Sequence, residues 1–203
     1  MINLTKKIVL VLIILIIIVC SFIFLFNTNS IDVYIDGEEV IVESHTFSDV
    51  DTNSLNAEIC DLTLNVMNDT TSNITTLKDN ITNICNKYGL DDVTINVDSI
   101  IGLDQIPVKV YVDGTSMFPT LKDGQSVIFN KTHNIHVGDI VVAKSSKYGG
   151  IIKRVGDIDG NSIYIVSDNK EVSYEYINGT IYEVKGITTW VNISDINGVV
   201  IDY

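Results

Sequence analysis

Positive charge is scarce in this chain: Lys and Arg number 13 against 26 Asp and Glu, a formal charge of −13. Phosphate binding needs a basic face, so the balance excludes nucleic acid as a partner. It also excludes tight docking on anionic lipid through a basic patch. Cysteine is scarce too. Cys20 lies in an apolar run, and Cys60 and Cys85 lie beyond it. There is no C-x-x-C pair and no Cys/His cluster, so no zinc site or other metal site is expected. Cys60 and Cys85 could pair in an oxidising compartment, which the sequence leaves open. The chain has three histidines, His45, His133 and His136. The last two (HNIH) lack further ligands nearby and read as a solvated loop. DIDGN, residues 157–161, lacks the third ligand and closing glutamate of a calcium loop and reads as a hairpin turn.

Charge is absent altogether from Ile8 to Phe26, a run of 19 residues. At about 1.5 Å per residue such a helix spans roughly 28 Å, close to the hydrocarbon thickness of a bilayer. A cleaved signal has a shorter apolar core and ends at small residues; this run ends FLFNTNS, which predicts a retained anchor. Lys6 and Lys7 precede it, and no Lys or Arg follows until Lys78. The positive-inside bias then puts residues 1–7 in the cytoplasm, the span at 8–26, and the rest outside. Six glycosylation sequons, at Asn68, Asn73, Asn80, Asn130, Asn178 and Asn192, fall in that outer part.

Residues 27–105 predict a small α/β accessory module. Ile31 to Ser44 alternates around Asp36-Gly37, a hairpin pattern. Leu55, Ile59, Leu62 and Val66, then Ile74, Leu77, Ile81 and Ile84, recur at helical spacing across a polar break at 68–72. Stand-off from a membrane and partner binding are both open roles for it. Residues 106–203 predict a β-rich domain. VKVYV, QSVIF, DIVVA, GIIKRV, SIYIV and TIYEVKG are short, branched and aromatic, separated by turn residues, and suggest a curved antiparallel sheet or partial barrel.

Within that domain DGTSMFPTL, residues 113–121, sets a hydroxyl beside two large apolar side chains and a proline. A plain turn favours Gly, Asn, Asp and Pro instead. Ser116 is a candidate nucleophile, which needs a base. No histidine has an orienting carboxylate in sequence. A lysine serves if it is neutral, and burial among apolar groups lowers its pKa. In GGIIKRVGD, Ile151, Lys153 and Val155 share one strand face, with Ile152 and Arg154 on the other. Periodicity alone does not say which face is buried.

SMFPTL, HVGDIVVAK, IIKRVGD and SDNKEVS, in that order behind an anchor, resemble the type I signal peptidases. The resemblance covers about Val108 to Glu175 and leaves residues 31–105 outside it. It implies a β-rich membrane serine endopeptidase with a Ser/Lys dyad, needing no cofactor, that cuts signal peptides from exported preproteins at the outer face of the bilayer. By that resemblance Ser116 stands at the nucleophile and Lys153 at the general base. Arg154 follows the base, Asp168 and Asn169 fill the Asp-Asn of the last motif, and Ser173 fills its serine. Gly114 takes the place of an oxyanion-donating serine found in some members, so the hole relies on backbone N–H groups. Met117, Phe118 and Pro119 are expected to form an apolar lip toward substrate or membrane, with ordinary core packing equally open for Met117. Gly138-Asp139 is read as structural. The closing Asp-x-Arg becomes Glu175-Tyr176-Ile177, so the usual acid–arginine pair is expected absent or remade. Two further readings stay open: a narrow protease processing one surface protein or regulator, with residues 31–105 selecting substrate, and a non-catalytic tethered binding protein.

Overall fold

The computed structural model describes residues 9, 11–19, 28–69, 71–184 and 186–203; the side chains of residues 173–175, 177 and 182–184 lie outside that description. Of the expected span 8–26, residues 9 and 11–19 are helical and the others, Cys20 among them, lie outside the described residues. Among the described residues no helix is long and apolar enough to cross a membrane.

The accessory module is a three-stranded sheet with two helices against it. Its strands are β1 (Asn29–Ile35), β2 (Val40–His45) and β3 (Val93–Ser99), in the order β2-β1-β3. β1 and β2 form the hairpin, closing at Ile35 opposite Val40, and β3 lies parallel to β1. A parallel neighbour needs a long crossover, here helices α1 (Thr52–Asn68) and α2 (Ile74–Lys87). Asp51 caps α1 by accepting from the Ser54 N–H at 3.2 Å, and Asn73 caps α2 by accepting from Thr76 at 3.1 Å. The helical stripes Leu55, Ile59 and Val66, and Leu77, Ile81 and Cys85, close over Ile31, Val33 and Ile35 of β1. Cys60 and Cys85 are both free thiols, Cys85 buried in that core.

The second body is a seven-stranded antiparallel sheet. Its strands are β4 (Pro107–Tyr111), β5 (Ser126–Asn130), β6 (Ile140–Ser145), β7 (Gly149–Asp159), β8 (Ser162–Val166), β11 (Thr188–Asn192) and β12 (Ile196–Asp202). They run in the order β11-β8-β7-β6-β12-β5-β4, so the C-terminal strand inserts between β6 and β5. β9 (Ser173–Ile177) and β10 (Thr180–Val184) form a separate hairpin. Register shifts at Val155/Asp157, Ile196/Gly198 and Val200/Asp202 bend the strands, and the sheet curls into a half-barrel. Gly198 sits at one of these bulges because a Cβ there would land on the Asn130 carbonyl of β5. Turn residues 160–161 join β7 to β8 within the DIDGN stretch.

The two bodies are packed together. Ile106 belongs to the module's core, and Val108 packs against that core and against the sheet's. Buried Lys131, just after β5, donates from Nζ to the Asp69 carbonyl at the C-cap of α1. Within the module, Lys78 of α2 pairs with Asp104, just after β3, at 2.5 Å.

Candidate active site

On β7 Ile151, Lys153 and Val155 are buried while Ile152 and Arg154 are half-buried. Of the two faces open to the sequence, the structure buries the one carrying the lysine. Lys153 is 3% exposed. A lone cation there would lose its hydration, and burial pushes the Lys153 amine below the ordinary lysine pKa; the charge of Asp168 opposes this. The amine has two acceptors. Nζ lies 2.7 Å from Ser116 Oγ and 2.9 Å from the Ile152 carbonyl. In the neutral state its lone pair is available to take the serine proton.

Ser116 stands in the connection of residues 112–125 between β4 and β5. Gly114, with φ of +85°, starts the turn, and its N–H donates to Asp123 Oδ1 at 2.7 Å. The chain then winds tightly: Phe118 N–H donates to Thr115 O at 3.0 Å and Leu121 N–H to Met117 O at 2.9 Å. The winding separates the neighbours of Ser116. Phe118 points outward, 46% exposed, and Pro119 follows it at the surface. Met117 turns inward, 1% exposed, against Val112, Leu121 and Val127. Met117 is thus core, the alternative the sequence leaves open for it, and it also lines the cleft at the dyad; one turn of tight winding puts residues 117 and 121 on the sheet side and leaves the outward positions to Phe118 and Pro119.

The residues after β8 hold this turn in place. Asn169 N–H donates to the Ser116 carbonyl at 3.0 Å, and Asn169 Nδ2 donates to the Thr115 carbonyl at 3.0 Å. Asp168 accepts from Thr120 Oγ1 at 2.6 Å, and from Arg154 Nε at 2.8 Å and Nη2 at 2.6 Å. Arg154 also donates to the Gly138 carbonyl at 2.7 Å. Asp168 thus links the turn bearing the nucleophile to the strand bearing the lysine. The Arg154 fork, then the Thr120 hydroxyl, hold its carboxyl below the usual aspartate pKa. An acid–arginine pair is therefore present, between Asp168 and Arg154. Lys170 Nζ instead donates to the Ser167 carbonyl at 2.6 Å.

Ser173 opens β9, but its side chain lies outside the described residues. The histidines are engaged elsewhere: His45 with Asp32 at 3.2 Å, His133 with the Ile196 carbonyl at 3.0 Å, His136 with Asp139 at 3.6 Å. Gly138 and Asp139 exchange backbone hydrogen bonds with Val155 at 2.8 Å, which anchors the start of β6 to β7. Sequence reasoning gave no role to Thr115 and Thr120. Thr120 lies inside the SMFPTL motif, but nothing in its spacing reveals an acceptor 48 residues away.

A cleft of about 510 Å³ opens at the dyad. Val110 to Asp113 line one side, Gly150 to Lys153 the other, with Tyr148 and Ile187 at its margins. On the far wall β7 has a free edge. Residues 149–154 pair with β6, while pairing to β8 begins only at Arg154 opposite Val166. Across the cleft β4 is the edge strand of the sheet. Two strand edges thus face a groove that also holds a hydroxyl and an amine, an arrangement that can take an extended peptide and attack a carbonyl.

Residues 101–189 match the Peptidase S24-like family. Signal peptidase I U of Bacillus subtilis (strain 168) is 35% identical over 89 residues, 38% of this chain and 48% of that protein. The match thus spans about half the length of this curated relative. Together these findings relate this part of the chain to the signal peptidase I and S24 superfamily.

Proposed function

We propose that this chain, related through residues 101–189 to the signal peptidase I and S24 superfamily, is a membrane-anchored serine endopeptidase that removes signal peptides from exported proteins. One observation carries the reading: the amine of Lys153, a residue only 3% exposed, lies 2.7 Å from a serine hydroxyl in a cleft of about 510 Å³. The uncharged run of residues 8–26 supports the anchor, with the peptidase body on the outer face.

In the proposed reaction a substrate strand lies between the edges of β4 and β7. Neutral Lys153 takes the proton of Ser116 Oγ as the oxygen attacks the scissile carbonyl. The carbonyl oxygen becomes an oxyanion held by backbone N–H donors, that of Ser116 among them. Collapse breaks the C–N bond, and the Lys153 ammonium gives its proton to the leaving amine. Lys153 then takes a proton from water, which attacks the acyl ester; the acid leaves and Ser116 regains its proton. Asp168 and Asn169 position the turn without touching the reacting atoms.

The test is cleavage of several exported precursors by the full chain in detergent, beside Ser116→Ala and Lys153→Ala. Cleavage near the end of each signal peptide, lost in both variants, supports the reading. Absence of turnover by the unaltered chain, or turnover surviving in Ser116→Ala, overturns it. Cleavage of one precursor alone selects the narrow protease. That second reading has its own support in the module packed against β4, the strand that walls the cleft.

A further inference from the structure

The outer edge of β4 is only partly free. The Lys109 N–H, which faces away from β5, donates to the Gly37 carbonyl in the β1–β2 turn at 3.0 Å. Lys109 Nζ reaches Glu38 of the same turn at 3.2 Å. Backbone groups alternate along an antiparallel edge, so Tyr111 and Asp113 present theirs on the same side as Lys109. The intervening Val112 faces inward, donating to the Gln125 carbonyl and accepting from Gly124 N–H, both at 2.9 Å. From Ser116 backwards, a peptide on this edge meets Asp113 and Tyr111. At Lys109 it finds the turn already bonded.

This turn is built to stay where it is. Asp36 Oδ1 accepts from the N–H groups of Glu38 at 2.8 Å and Glu39 at 2.7 Å. Gly37 has φ of +104°, and a Cβ there would stand 3.5 Å from Lys109 N and 3.6 Å from Lys109 Cβ. Behind it the module shares its core with Ile106 and Val108 and is tied again by Lys131 to the end of α1.

We infer that the Gly37-Glu38 turn is the end wall of the substrate groove, and that the accessory module limits the peptide segment held on this flank of the scissile bond. At about 3.3 Å per residue, the edge from Asp113 to Val110 accommodates roughly four residues in extended form. The fifth residue meets Glu38 and Lys109 and must leave the edge. This gives residues 29–99 a part in specificity: they set the length of chain that is read. The inference rests on the peptide-binding reading of the cleft.

The experiment separates the two. Ser116→Ala full chain in detergent is titrated with fluorescein-labelled peptides built on an Ala-Ala core and lengthened by one alanine at a time, first on one flank and then on the other. Turnover of the same peptides by the unaltered chain is followed in parallel. On one flank each added residue is expected to tighten binding about two- to tenfold through its main-chain hydrogen bonds, up to about the fourth. Further residues change it less than about twofold. A photo-crosslinking residue at position 38 is expected to capture only peptides that reach the fifth position. Affinity that climbs without a break to eight residues on both flanks, with no capture at 38, overturns the end wall even if the peptides are cleaved. A plateau without turnover in the unaltered chain upholds the wall and removes the peptidase. Absence of binding by any peptide removes both.

Discussion

Replacing Asp168 tests whether the turn that carries the nucleophile is held by the strand that carries the base. Asp168→Ala deletes three hydrogen bonds at once, two from the Arg154 fork and one from Thr120. Bonds to charged groups contribute about 1.5–3 kcal/mol each, but they are not additive here. Removing one partner of a fully buried pair costs about 3–5 kcal/mol. The Asp168 side chain is 14% exposed and that of Arg154 33%, so solvent recovers part of the loss. The expected cost is about 2–4 kcal/mol, which for a chain of this size lowers Tm by roughly 5–15 °C. Asp168→Asn keeps a single acceptor oxygen, which in the place of Oδ2 still serves Thr120 and Arg154 Nη2, but it turns an amide donor toward Arg154 Nε, so it is expected to recover only part of the loss. The pH dependence has a definite sign. The folded pKa of Asp168 is depressed. Its contribution is therefore present above the unfolded value near 3.9 and is lost as pH falls through the folded value. The alanine variant lacks that component of acid unfolding. Peptidase activity gives a second readout. Displacing Ser116 by a fraction of an ångström to an ångström costs up to about 10²-fold, mainly in kcat, with partial recovery in the asparagine variant. Thermal unfolding in detergent at neutral pH and pH 3, with kcat and KM on a precursor peptide, measures all of this. A variant that melts within about 1 °C of the unaltered chain and keeps its kcat refutes the linkage.

Activity is expected to rise with pH as the Lys153 amine deprotonates, with the limb below the ordinary lysine value near 10.4, because burial lowers its pKa. Lys153→Arg keeps the cation and cannot release the proton, so a pH–rate series should show it as inactive as Ser116→Ala at every pH. Lys153→Met is equally inactive but no less stable than the unaltered chain near neutral pH, since a desolvated amine has been removed. The unfolded state of the unaltered chain binds the extra proton, so its stability rises with pH through the window below 10.4 and the difference narrows, which urea titration at two pH values reads. Gly198→Ala drives a methyl group onto the Asn130 carbonyl and the Phe129 ring, and urea unfolding should show a loss of about 3 kcal/mol. Gly114→Ala has open space around the new methyl but keeps φ at +85°, so its cost is conformational, about 1–2 kcal/mol by the same titration.

Much of the outline is legible in the sequence, because it rests on local rules. Alternation and turn chemistry located the β1–β2 hairpin and six strands of the β-rich region, and helical spacing located α1 and α2 with the break between them. SMFPTL and IIKRVGD singled out Ser116 and Lys153 as chemical types in a recognisable order. What local rules do not carry is partnership across the chain. Whether Lys153 or Ile152 is buried depends on which face of β7 meets the sheet's interior, and period-two alternation is identical in both cases. Whether Met117 packs inward or joins Phe118 at the surface is open in the sequence, because a tight turn and an open loop share the same residues, and the hydrogen bonds of residues 115–121 choose between them. β12 lies between β5 and β6, a pairing that nothing local in INGVVID specifies. The Asp168 linkage joins positions 120, 154 and 168, and the Gly37–Lys109 bond joins positions 72 apart in the chain. Sequence determined which groups are present and which local shapes they adopt. Tertiary structure alone decided which of them lost their water and which came within hydrogen-bond reach, because desolvation and proximity belong to the packed chain as a whole.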